Sequence, residues 1–586
     1  MQTLSYLSLL VGTWLALAVV YTGVGLLFRR AMRAPDVALR DLVMLPILGW
    51  CLTMPLLTAW HLFRPIDGWT LAAIIVIGLV GIATHAREMS RIVGHGIRSR
   101  PGLLLVLLLA GFWLANHTAI QHTIYDSGFY HLNAINWIQS YAVVPGLGNL
   151  SKMLGFNDSY FLYVALLDQG VFKFKVHHLA GAFLLFMLIC RSLTSWWIIL
   201  RSRERVQLAH VLDAFLLVYI LVLSTGVYGS SHSPDLAVYI LGFVIGSELL
   251  RILESTQHLA AGTDSAAESS DQVSLRFYTL VVLCAVAVTV KLNFFVFGAA
   301  ACVIALIALI RSPARLDLMK ARSLVPAGLT ILFIVIFWTL RGIKLTGSIG
   351  YPATWVVLPV DWRVPVETAQ AYVSEIRAWA RQPYGAPAVV MADWKWLWPW
   401  FNGLLRAPFE VVTPIAVGAV GAPLLFKLSG RRLSRTELGR PCAFLLLPVA
   451  ALVFWFLAAP DPRFAGAIFW LFGAGALALV IGRLERRSII TALLLFTILS
   501  LTMNFNPIAF VLRWQRDMGP ERTGPLKIMT TTSGLQVHVP VEGYQVWRAP
   551  LPATPHFNPE LRLRVPGDLS KGFTVLPSEK KDESPF

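Results

Sequence analysis

The sequence predicts an all-α polytopic membrane protein of about fourteen spanning helices, with helical outer loops and a small C-terminal cap carrying some β structure. Three observations predict it. Hydrophobic residues fill 56% of the 586 positions and charged residues only 14%, giving a mean hydropathy of +0.66; a soluble domain carries about a quarter charged residues. Apolar runs recur along the chain at lengths approaching the roughly twenty residues that a spanning helix needs. The basic residues gather in alternate loops between those runs.

Taken in order, the runs are Leu7 to Phe28, Leu103 to Ala115 with apolar flanks, Leu179 to Ile189, Leu236 to Leu250, Leu280 to Val290, Phe294 to Ile310, Ile331 to Leu340, Ala443 to Ala459, Phe464 to Ile481 and Ile489 to Met503. The first has no basic n-region and no small-residue cleavage site, so it is expected to persist as a helix. The closely spaced pair around Lys291 is open to a re-entrant reading. All five cysteines lie in or beside apolar runs without metal-ligand spacing, which makes them small buried hydrophobes and implies no disulfide framework.

The net charge of +17 is a topology signal. Segments 29–40, 86–100, 191–205, 251–276, 311–322, 427–440 and 483–487 hold 26 of the 49 lysines and arginines. Short basic loops on alternate sides are expected to face the cytoplasm; nucleic acid is not an expected partner. That places the N-terminus, segment 117–176, the loop 228–235, the turn Lys291 to Asn293, segment 341–408, the loop 460–463 and the tail on the outer face. Three regions follow: accessory helices in 1–100, a membrane module in 101–503 with outer loops 117–176 and 341–408, and an extracytoplasmic tail in 504–586. No inverted or tandem repeat of the transporter kind is apparent.

Segment 117–176 reads as short helices and turns. In segment 341–408, Pro365 and Pro383 bound a helix from Val366 to Arg381. Four tryptophans follow within the seven residues Trp394 to Trp400, a pattern that suits the headgroup layer more than a sugar platform. The tail carries a strand from Leu535 to Val541 and proline-rich turns. Segment 261–275, rich in Ala, Ser, Asp and Glu, reads as a flexible cytoplasmic linker.

The unusual polar groups fall on the outer face, where an ionisable group at the membrane boundary is costly and therefore a functional candidate. Each has a bland alternative. Asp126, in Tyr125-Asp126-Ser127-Gly128-Phe129-Tyr130-His131, would serve equally as the N-cap of a helix beginning at Ser127. His131 has no companion histidine at ligand spacing and reads as a packed residue rather than a metal ligand. Asp235, after Ser233 and Pro234, would complement a helix dipole. Lys291 would snorkel to the interface, and Asp461 and Arg463 would staple their own loop.

A shared function assigns them roles. Asp126 is the candidate base for a hydroxyl group. Lys291, Arg341 and Arg463 would clamp a phosphate, arginine in bidentate fashion. Tyr130, His131, His232, Asp235, Tyr351 and Asp461 complete the candidate substrate-binding set, with His131 and Asp235 orienting sugar hydroxyls. There is no D-x-D, so the sequence does not require a divalent metal; no metal ligands are assigned, metal use stays open, and no cofactor is expected.

The Asp126 loop in this topology resembles the first outer loop of C-type (GT-C) glycosyltransferases, polytopic enzymes that use polyprenyl-phosphate-linked sugars and carry a catalytic acid there. More closely, the chain resembles a family of uncharacterised bacterial polytopic membrane proteins with GT-C-like features. The residues that carry this are Asp126 to Leu132 with Val144 to Leu150, Ser233-Pro-Asp-Leu-Ala, Val290-Lys-Leu, Pro460-Asp-Pro-Arg-Phe, Pro552-Ala-Thr-Pro and Asn558 to Arg564. Three helices precede the loop here, and Ser127 stands where many such enzymes have a second acid. Related tails carry a cysteine pair near the proline-rich end, at places filled here by Val546 and Ala553.

The resemblance implies a GT-C-like module in the bacterial cytoplasmic membrane with its active side outward. It implies inverting sugar transfer from a polyprenyl-phosphate donor to a lipid-linked or surface glycan acceptor. A transporter, flippase or polymerase of lipid-linked glycans is the alternative.

Overall fold

The computed structural model describes residues 2–34, 42–202, 206–261, 269–318, 321–428, 439–504 and 519–575. Eleven helices among them are long and apolar enough to cross a membrane, or twelve if the bent pair Gly68–Thr84 and Ala86–Ser99 is one span. This is a multi-pass, mostly helical membrane protein with small β elements. The apolar run Phe464 to Ile481 does not form one continuous helix. There the backbone turns at Gly466 (φ +57°) after the short helix Pro462–Ala465, which leaves the 14-residue helix Ile468–Ile481.

The N-terminal helices Gln2–Ala31, Met44–His61 and Gly68–Thr84 pack backbone to backbone. A Cβ on Gly49 would lie 1.7 Å from the Tyr21 carbonyl oxygen, and one on Gly23 would lie 1.8 Å from that of Gly78. Small residues permit this approach where lipid supplies no hydrophobic drive between helices. The basic segment 86–100 forms the helix Ala86–Ser99, bent 81° from its predecessor and without a buried residue.

The loops sort onto two faces as the charge pattern expected. On one face, Gly146 N–H donates to Lys344 O (2.8 Å), Asn157 Nδ2 to Trp338 O (2.6 Å), Trp400 Nε1 to Pro460 O (2.6 Å) and Trp547 N–H to Gly128 O (2.8 Å). On the other, Ser323 donates to Met32 O, Arg440 to the carbonyls of Thr256 and Arg311, and Arg486 to Ser202 O. Among the described residues, Ser230 also donates to Ile120 O and Lys291 to Asp235, so the loops 228–235, Lys291 to Asn293, 341–408 and 460–463 and the tail each meet another segment of the outer set.

The Pro-bounded helix forms as Val366–Arg381, and the tail strand as Gln536–Pro540, paired antiparallel with Leu526–Thr530. A second hairpin pairs Leu561–Leu563 with Phe573–Val575. The tail docks on the first outer loop through Asn133 Nδ2 to Ala553 O and Asn136 Nδ2 to Ala549 O, both 2.9 Å, and Phe573 N–H to Pro145 O. Val546 and Ala553 share a small buried cluster with Ala549. The flexible linker expected over 261–275 is shorter: Ser269 and Gln272 form a reciprocal cap on the helix Ser270–Val290, and 262–268 lie outside the described residues.

One feature departs from the expectation that nearly every unusual polar group lies on the outer face. Deep among the helices Ala180–Arg201, Leu208–Thr225, Pro234–Ala261 and Ser270–Val290, Arg191 binds Asp213 (3.1 Å) and Glu248 (2.9 Å), Arg276 binds Glu248 (2.9 Å), and Arg251 lies 3.5 Å from Asp213. The network ties all four helices together.

Candidate functional site

Four residues from distant parts of the sequence meet at the loop face. Asp126 stands at the start of the π-type helix Ser127–His131, which begins where expected, yet its carboxylate makes no capping hydrogen bond. Instead Oδ2 accepts from Nη1 of Arg463 at 2.9 Å. Arg463 Nε also lies 3.9 Å from Asp235 Oδ2, and the other oxygen of Asp235 accepts from Lys291 Nζ. The order Asp126, Arg463, Asp235, Lys291 thus alternates in sign.

Local structure places each member. Asp235 lies in the first turn of Pro234–Ala261, its N–H bound by Ser233 Oγ. Lys291 directly follows the last residue of Ser270–Val290 and leans over the Phe464 ring (4.9 Å). Arg463 lies over the same ring (5.2 Å). Asp461 takes the backbone N–H of Arg463 at 2.8 Å, and Trp455 Nε1 donates to Asp461 O at 2.7 Å. The staple expected between Asp461 and Arg463 therefore exists through the backbone, which frees the guanidinium for Asp126.

Burial pushes the Asp126 carboxyl above its ordinary value, against the pull of Arg463. It keeps 23% of its side-chain surface and Arg463 keeps 34%, so both can be reached from the loop side. Asp235, at 7%, is buried. The remaining expected residues divide. Tyr130 and His131 sit in the same short helix, with rings 4.4 Å apart, and Tyr130 feels the Asp126 charge. Burial holds His131 as the neutral imidazole, its pKa well below the usual histidine range. Arg341 lies one step away, bound to Asn157 Oδ1 (2.6 Å) and His61 Nδ1 (3.3 Å) rather than to the cluster. Tyr351 packs on Phe156 (6.1 Å). His232 is elsewhere, buried against Glu521 of the tail at 3.1 Å.

Two residues missing from the sequence reading belong here. Asp158 interacts with Lys291, Arg341 and Asp235, and burial lifts its pKa to about 7. The neighbouring Ser159 is tied to Thr289, two residues before Lys291, by Oγ to Oγ1 (2.9 Å) and by its N–H to Thr289 O. Tyr372, from Val366–Arg381, meets Phe156 at 5.7 Å and feels both Asp126 and Asp158. Asn157-Asp158-Ser159 was visible as a polar triplet among apolar neighbours; Tyr372 carried no local signal.

The fold and this cluster define a polytopic membrane protein with a compact set of paired charges at one face. The chain belongs to the family described as Domain of unknown function (DUF8201), whose model matches residues 7–470. No curated protein and no solved structure matches it.

Proposed function

We propose that the protein is a membrane glycosyltransferase of GT-C type. It moves a sugar from a polyprenyl-phosphate carrier to a lipid-linked or surface glycan acceptor at the outer face of the bacterial cytoplasmic membrane. The observation that carries this reading is the convergence of Asp126, Arg463, Asp235 and Lys291 at the ends of apolar helices. An ion-pair clasp alone would hold the helix ends equally well. Partial exposure of Asp126 and Arg463, beside the aromatic series Tyr130, Phe156, Tyr372 and Tyr351, favours a site that receives a ligand.

The chemistry follows from the pairing. A donor phosphate binds Arg463 and Lys291, and arginine exchanges its carboxylate for two phosphate oxygens. Asp126 then loses its cation, which makes it more basic. It takes the proton of the acceptor hydroxyl as that oxygen attacks the anomeric carbon. The bond from that carbon to the phosphate oxygen breaks with inversion, and polyprenyl phosphate leaves with its negative charge held by the two cations. Asp235 keeps Lys291 and Arg463 in place; Tyr130 and His131 orient the sugar.

The test is reconstitution of the purified protein into liposomes with a radiolabelled polyprenyl-phosphate hexose and lipid-linked glycan acceptors. A new glycosidic bond is the expected product. Movement of label across the bilayer without a new bond would assign the protein to the transporters.

A further inference from the structure

We propose that a second site, built by His177, His232 and Glu521 with His122 beside them, binds a divalent first-row transition metal of the zinc type. It shares no residue with the ion-pair cluster and does not depend on the function proposed for that cluster.

One ligand atom each from His177, His232 and Glu521 lies within 4.8 Å of the others, and all three residues are buried. The His122 ring centre lies 5.0 Å from that of His177 and 5.1 Å from that of His232. The imidazoles have little else to do. Among the described residues, neither nitrogen of His122, neither nitrogen of His177, nor Nδ1 of His232 has a hydrogen-bond partner, although all are buried. A buried polar atom left unpaired costs about 1–3 kcal/mol, and native proteins rarely leave several together. His122, His177 and His232 are 1%, 0% and 0% exposed. A metal ion satisfies such rings at once.

The donor set selects the ion. Imidazole nitrogens with one carboxylate suit zinc and its neighbours, whereas calcium and magnesium take oxygen ligands. His232 Nε2 and Glu521 Oε1 are 3.1 Å apart. That is close to the roughly 3.3 Å between ligands of a tetrahedral zinc with bonds of about 2.0–2.1 Å. Arg548 orients the carboxylate from behind, with Nε 2.8 Å from Glu521 Oε2 and Nη2 3.2 Å from Oε1. The same guanidinium lies 2.9 Å from Asp168 Oδ2, so two carboxylates face this one arginine. Such outer partners hold metal ligands in place.

The four residues come from four outer segments: the turn after Pro101–Thr118, the start of the Val176–Arg201 span, the turn before Pro234–Ala261, and the tail. An ion here would fasten the tail to three helix ends. Trp547 carries that fastening toward Asp126: its ring stands 5.6 Å from His122, and its N–H donates to Gly128 O.

The experiment uses full-length protein purified in detergent through a tag free of histidine. Metal content is measured by plasma mass spectrometry after incubation with Zn²⁺ and gel filtration, and the metal shell by X-ray absorption. About one zinc per chain is expected, in a shell of nitrogen and oxygen at about 2.0–2.1 Å. His177→Asn and Glu521→Gln should each lower retention at least tenfold, while His95→Asn, in the unburied helix Ala86–Ser99, should not. Wild-type protein that elutes as a single species yet retains no zinc would overturn the proposal. So would a shell of sulfur or of six oxygens, or variants that hold zinc as wild type does. The wild-type measurements decide the matter even if a variant fails to fold.

Discussion

Arg463 is the hinge of the ion-pair cluster, since it is the residue that touches both Asp126 and Asp235. Replacing it by alanine removes the fork proposed to hold phosphate and leaves Asp126 with an uncompensated charge; replacing it by lysine keeps the charge and loses the fork. Binding of polyprenyl phosphate, followed by quenching of a fluorescent analogue, should weaken at least tenfold in Arg463→Ala and by less in Arg463→Lys. Equal binding by all three proteins would remove the phosphate clamp. Asp158 makes a separate prediction. Its carboxyl has a pKa of about 7 in the fold against an ordinary 3.8, so the fold favours its neutral form. The stability this gives is fully present below the ordinary value and is lost as pH rises toward 7. Thermal melts should show wild type losing stability between about pH 4 and 7 relative to Asp158→Asn. Parallel curves would show that Asp158 is not held neutral.

At the scale of elements, the network among four helices and the cluster at their ends do different work. Arg191, Asp213 and Glu248 are almost wholly enclosed, so removing one partner strands the others in a low-dielectric interior. Glu248→Gln should destabilise the detergent-solubilised protein by about 3–5 kcal/mol, read as a lowered melting temperature. A change near zero would mean the network relaxes around the loss. Elements with local signals were legible beforehand. Pro365 and Pro383 bracket Val366–Arg381, and alternation marks Gln536–Pro540. The network was not, because its members come from four helices and their pairing depends on how those helices rotate against one another. The divided run at Gly466 was hidden for a related reason: hydropathy averages over a turn that only the backbone reveals.

For the whole molecule, the arrangement of charge decided most of the organisation. Basic loops lie on one face, while the first outer loop, the loop at 460–463 and the tail lie together on the other. In protein with the native cysteines replaced by alanine, a cysteine at Tyr384, which is 91% exposed, should react with a membrane-impermeant maleimide in intact cells. One at His95, in the basic helix Ala86–Ser99, should react only after permeabilisation. The reverse pattern would invert the topology and move Asp126 to the cytoplasmic side. All four members of the ion-pair cluster were legible: Asp235, Lys291 and Arg463 border apolar runs where charge is costly, and Asp126 stands in the first loop expected outside. His232 was misplaced in that set, since a loop histidine shows no sign in the sequence of which distant loop it will face.

The central claim is that Asp126 takes the acceptor proton at a phosphate-binding cluster. Its most direct test is the rate of sugar transfer from a polyprenyl-phosphate hexose by purified wild-type and Asp126→Asn protein, with folding checked by gel filtration. A fall of about 10²–10⁴-fold is expected, with polyprenyl-phosphate binding retained. A rate near that of wild type would contradict it.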